Sequence, residues 1–126
     1  MYSTETGDKL EFNQLLDSLI QKNLFTKRQI TIIYNKINNE NFEYKISSGA
    51  YYRQVKQCKN KYHQLIYTIL LFRILNIINN DKINTIETLV KQIDNISQLN
   101  QHHNNITISN DIIQVIDKIM KKISTF

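Results

Sequence analysis

Aliphatic and aromatic residues recur along this chain at intervals of three and four, the spacing of helices that each bury one stripe. Leu15, Leu16, Leu19 and Ile20 carry the spacing first and predict a helix from about Lys9 to Lys22, after a polar start at residues 1 to 8. Asn23 and Leu24 form a short connection. The second helix then has a complete start signal. Phe25 precedes Thr26 as N-cap, Gln29 closes a capping box, and Ile30 is placed to staple against Phe25. Its expected buried stripe continues through Ile33, Tyr34 and Ile37, and so short a connection makes the two helices antiparallel or steeply crossed neighbours.

From Asn38 to Lys45 the period changes to two, with Phe42, Tyr44 and Ile46 alternating with polar residues; this piece reads as extended or as a loop pinned by its aromatics. The third helix starts at Ser47, an N-cap whose hydroxyl can accept from the N–H of Ala50, with Ile46 and Tyr51 as a staple. At about 100° per residue, Tyr51, Val55, Cys58, Tyr62, Leu65, Ile66 and Ile69 share one stripe. The opposite stripe is Gly49, Tyr52, Arg53, Lys56, Lys59, Asn60 and His63. No stop is visible before Asn79-Asn80, which predicts a central helix roughly 48 Å long. Beyond Leu65 it is apolar all round, the pattern of a helix buried on every side.

Asn84 and Glu87 resemble the start of a fourth helix with the stripe Ile86, Leu89, Val90, Ile93 and Ile96. Gln98 to Asn105 reads as an exposed loop. A fifth helix follows from near Ser109, with Ile108 and Ile113 as a staple and Ile112, Ile116, Ile119, Met120 and Ile123 along its face. No repeat of fixed period is present. The fold class is all-α, with about five helices, a helix-turn-helix-like N-terminal half and one long central helix continuing into a helical dimerisation region.

Composition agrees with helices. Proline is absent and glycine occurs only at Gly7 and Gly49, while 16 asparagines, 22 isoleucines and 13 lysines against three arginines reflect the bias of an AT-rich genome. A chain of 126 residues is expected to be a single domain, with one part at residues 9 to 63 and another at 64 to 126. The net charge of +5 is unevenly spread: residues 1 to 25 carry −2, residues 26 to 63 carry +6, and residues 64 to 126 carry +1. The basic excess lies where a polyanion would be met. The lone Cys58 lies on the aliphatic stripe and reads as a small buried hydrophobe. No secretory signal is visible, and the apolar stretch Leu65 to Ile78 is short and holds Arg73 and Asn76, so the expectation is a cytoplasmic protein with no membrane partner.

Catalytic chemistry finds no foothold in the sequence. There is no phosphate-binding glycine loop and no paired-histidine metal helix; His102 and His103 are adjacent and would diverge on a helix. Asp8, Glu11 and Asp17 are spread along a solvated face. No enzyme, cofactor, metal or small-molecule substrate is expected. Nucleic-acid binding accounts for more. The start of the third helix offers backbone N–H groups to phosphate, with Arg53 and Lys56 one turn on, and Gln54 and Gln57 flanking. Lys27 and Arg28 are placed to clamp the backbone beside the groove. The expected DNA-contacting set is therefore Lys27, Arg28, Ser47, Ser48, Gly49, Tyr52, Arg53, Lys56, Gln57, Lys59, Asn60 and His63.

Phe25-Thr26-Lys27-Arg28-Gln29, then Ile46-Ser47-Ser48-Gly49-Ala50 leading into Arg53 and Lys61, resembles the helix-turn-helix of sigma-factor region four and related regulators over residues 25 to 65. In that family a Thr-x-x-Gln helix start precedes an Ile-Ser-x-Gly-x-Val recognition helix, and Asn38 to Lys45 stands where the family places a supporting helix. The resemblance implies that Ser48, Tyr52, Arg53 and Lys56 face double-stranded DNA and that the protein regulates transcription. The surplus of apolar surface after Leu65 implies a homodimer through Ile66, Ile69, Leu70, Phe72, Ile74, Leu75 and Ile78. The competing expectation is a helical interaction protein whose basic patch binds RNA or an acidic protein.

Overall fold

The computed structural model describes residues 14–40, 46–102 and 110–126, with side chains up to residue 96 of the fourth helix. The elements are α1 (Gln14–Ile20), α2 (Lys27–Ile37), α3 (Ser48–Ile74), α4 (Asn80–His102) and α5 (Asn110–Ile123), and no strand occurs among the described residues. The fold is all-α. The expected first turn of helix one from Lys9, the alternating residues Phe42 and Tyr44, and the cap formed by Ile108 and Ser109 lie outside the described residues. The chain divides into two compact units at 71/72, inside α3.

Residues 14–71 of the first unit contain α1, α2 and most of α3. Asn23 makes the turn out of α1, its side chain accepting from the N–H of Phe25 at 2.6 Å. The capping box at α2 is complete: Gln29 N–H donates to the Thr26 hydroxyl at 3.1 Å, and Thr26 N–H donates to the Gln29 side chain at 3.0 Å. The Ser47 cap of α3 is also formed, with Ala50 N–H donating to its hydroxyl at 3.2 Å.

Ile32, Val55 and Cys58 make the buried cluster, with Ile33 and Tyr51 packed against it. Contacts pair Gln29 with Lys61, Ile32 with Val55 and Cys58, and Lys36 with Tyr51, so α2 runs antiparallel along α3. This geometry corrects the expected face of α2. The apolar spacing pointed to Ile30, Ile33, Tyr34 and Ile37; Ile33 does pack against the cluster, but the residue that α3 buries is Ile32, outside that stripe and 1% exposed, while Ile37 is 73% exposed. Asn38–Ser47 separates the two helices, longer than the three- or four-residue turn of a tight helix-turn-helix.

Two helices end on asparagine. Asn39 (φ 56°) follows α2, with Glu40 N–H donating to Asn35 O at 2.8 Å and Asn39 N–H donating to Lys36 O at 3.4 Å. Asn76 (φ 57°) repeats the arrangement after α3: Ile77 N–H donates to Phe72 O at 2.8 Å, and Asn76 N–H donates to Arg73 O at 3.1 Å. These are the paired bonds of a Schellman motif, with asparagine in the left-handed position usual for glycine. The stop expected at Asn79-Asn80 therefore falls at Ile74.

In the second unit, Asn79 caps α4 by accepting from the N–H of Lys82 at 2.9 Å, five residues before the cap expected at Asn84. The helix also continues through His102, across residues expected as loop from Gln98. Arg73 bridges the preceding turn, donating to Ile78 O at 2.8 Å and to Asn80 Oδ1 at 2.6 Å. Leu89 of α4 and Ile116 of α5 are the buried residues of this hairpin. No helix among the described residues is long and apolar enough to cross a membrane.

Candidate nucleic-acid interface

α3 carries Arg53, Lys56, Lys59, Lys61 and Arg73 and not one carboxylate over its 27 residues. Because α2 packs on Val55 and Cys58, the side of α3 turned away from it is left to solvent. Gly49, Tyr52, Arg53, Lys56, Lys59, Asn60 and His63 are all exposed there, with Tyr52 68% exposed. Ser48 and Gln57 are exposed as well. Gly49 has open space around the position a Cβ would take, so its lack of a side chain serves no packing within the described residues. Nine of the expected DNA-facing residues thus stand together on the outer surface of one helix.

Others are engaged differently. The hydroxyl of Ser47 accepts the capping bond from Ala50. Lys27 pairs with Asp17 at 3.4 Å, both about half exposed, an ion pair worth at most about 1 kcal/mol and readily exchanged for a phosphate. Arg28 is exposed at the start of α2. Gln54, expected to flank the reading face, is half-buried, and its Oε1 is buried with no hydrogen-bond partner among the described residues.

Sequence spacing gave no warning of the role of Lys61. Its ammonium donates to Gln29 Oε1 at 3.3 Å and lies 5.2 Å from the centre of the Phe25 ring, so it fastens α3 to the start of α2 instead of serving a ligand. The same carboxamide oxygen accepts from Thr26 N–H, which makes Gln29 the joint between cap and core.

Cys58 is 2% exposed against this joint. Burial pushes its thiol above the ordinary range, and the nearby Lys61 charge opposes that only in part. A raised pKa keeps the group as the unreactive thiol at neutral pH. Alkylation of the folded protein by iodoacetamide at pH 7.5 is therefore expected to be at least about ten times slower than in denaturant, as followed by mass spectrometry; equal rates would show that Cys58 is open.

The apolar stretch predicted to be buried on all sides is exposed instead. Tyr62, Ile66, Tyr67, Ile69, Leu70 and Leu71 are between 39% and 61% exposed, and Ile74 and Leu75 are 70% and 59% exposed. Among the expected dimer residues, Phe72 and Ile78 differ: both are half-buried, and they form the end of α3, where Ile78 N–H donates to Phe72 O at 3.2 Å. His63 and Tyr67 pack edge to face with ring centres 4.9 Å apart, where the basic stretch passes into the apolar one.

In the second unit a groove of about 510 Å³ runs between α4 and α5, lined by Leu89, Ile93, Ile96, Ile112, Val115 and Ile116, with Asp111 the one ionisable lining residue. It holds no acid and base pair. No cluster of three metal-ligating side chains occurs among the described residues. Compared with protein-family models, curated proteins and solved structures, the chain matches none.

Proposed function

We propose that α3 binds double-stranded DNA through residues 48 to 63, with Lys27 and Arg28 of α2 on the flanking phosphates, and that the protein regulates transcription. The observation that carries this reading is the outer side of α3, where Tyr52, Arg53, Lys56, Lys59, Asn60 and His63 are exposed together on a helix without a carboxylate. Such a surface attracts phosphate with no carboxylate on the helix to repel it, and its arginine and amides offer the donors that base edges accept. The reading involves no catalytic step, metal or cofactor.

A mobility-shift titration against mixed-sequence duplex DNA from 50 to 300 mM salt tests it. Log affinity is expected to fall with log salt with a slope of about −3 to −5, since roughly four or five cations would each displace a counterion. No binding at the lowest salt overturns the reading. Binding to single-stranded RNA or to a polyglutamate chain that exceeds binding to duplex favours the competing interaction-protein reading.

A further inference from the structure

On α3 the basic row and the apolar row lie in line. At about 100° per residue, Tyr52, Lys56, Lys59, His63, Ile66 and Leu70 all fall within roughly 80° of arc, on the side next to the Val55 and Cys58 contact with α2 and centred about 90° from it. Tyr62 and Ile69 flank the apolar end of that row on one side, and Tyr67 and Leu71 flank it on the other. One helix side therefore passes from cationic to apolar without turning.

We infer that a second copy of the chain packs on this apolar end in parallel, so that the two α3 helices fork toward their N-termini and grip one duplex from opposite sides. The inference rests on the DNA-binding reading above for the grip, and on the exposed residues alone for the pairing. Six large side chains, each about half exposed and spread over some 200° of arc, present on the order of 600 Å² per copy, so two copies that covered all of it would reach about 1,200 Å², the lower bound for a specific interface. From Gln64 to Phe72 the helix carries no charge, so the surface offers nothing that selects an acidic or basic partner, and it matches itself.

Direction follows from the shared phase. In an antiparallel pair the centres near Lys56 would lie about 40 Å apart and face opposite ways, since each is some 14 residues from Leu70 at about 1.5 Å per residue. One duplex could not meet both. In a parallel pair the two basic rows face each other across the fork, as continuous helices do when they straddle a major groove from a dimer. The half-sites then abut, instead of standing one helical turn apart as they do for side-by-side recognition helices.

The test uses full-length protein in a Cys58→Ser background carrying either Ile66→Cys or Leu70→Cys, with oxidation followed on non-reducing gels and light scattering on the uncrosslinked chain. Parallel pairing predicts a dimer at micromolar concentration and efficient crosslinking of each variant with itself. An antiparallel pair brings at most one of the two positions against its own copy, so at least one variant would fail to crosslink with itself, which overturns the inference. So does a monomer at several hundred micromolar. Leu70→Glu, at a site 55% exposed, is expected to keep the helical circular dichroism signal while shifting the dimer dissociation constant at least 100-fold and weakening duplex binding about tenfold or more. A dimer that crosslinks in parallel but binds no duplex upholds the pairing and removes the function proposed above; a monomer with full duplex affinity does the reverse.

Discussion

Truncating Ile32 to alanine is expected to destabilise the first unit by about 3 kcal/mol, among the largest effects of any single conservative change here. Ile32 is 1% exposed and lies between Val55 and Cys58, so removing three carbons loses their transfer free energy and leaves a cavity. Collapse around it is hindered. On one side the capping box fixes Thr26 and Gln29, and on the other Lys61 holds α3 to Gln29 and Phe25, so the two helices cannot slide together to refill the space. In a unit of this size a loss of that magnitude lowers the melting temperature by roughly 15 °C. The control is on the same helix. Ile37 is 73% exposed, and its alanine variant is expected to cost less than about 0.5 kcal/mol. Thermal unfolding followed by circular dichroism separates the two, and similar losses would mean that the α2 face assigned to α3 is wrong.

The second large effect concerns binding. Arg53→Ala is expected to weaken duplex affinity by about 1 to 3 kcal/mol and to narrow the difference between preferred and random sequences, because an exposed guanidinium one turn into α3 can pair with a guanine edge. Lys27→Ala acts otherwise. Its ammonium already has Asp17 at 3.4 Å and offers only a point charge to phosphate, so affinity should fall for all sequences alike, by less than about 1 kcal/mol, with the salt slope flatter by about one unit. Comparing the two across a selected and a scrambled duplex reads both effects. Identical behaviour would remove the distinction between reading and clamping.

The sequence made most of the local structure legible, because caps are local. Thr26 with Gln29 and Ser47 with Ala50 are read directly from residue types three apart, and both are formed as expected. What spacing could not reveal was which flank of an amphipathic helix a neighbour would take. Isoleucines at 30, 32, 33 and 37 leave α2 with two plausible faces, and only the path of α3 decides between them. The exposed face of α3 was legible for the same reason that the apolar half was misread. A basic row announces solvent by itself, whereas the all-round apolar pattern after Leu65 states only that cover is needed, not that the same chain supplies it.

Asn39 and Asn76 have a consequence beyond the folded state. Glycine at a helix end is free of strain but samples a wide range of conformations in the unfolded chain, all of which must be given up on folding. Asparagine meets the same left-handed geometry with a modest steric penalty and a smaller unfolded ensemble. A chain with two glycines and no proline thus restricts its denatured state at the points where its helices must stop. Part of what ends α2 and α3 is entropy withheld from the unfolded chain, which no contact in the native fold records.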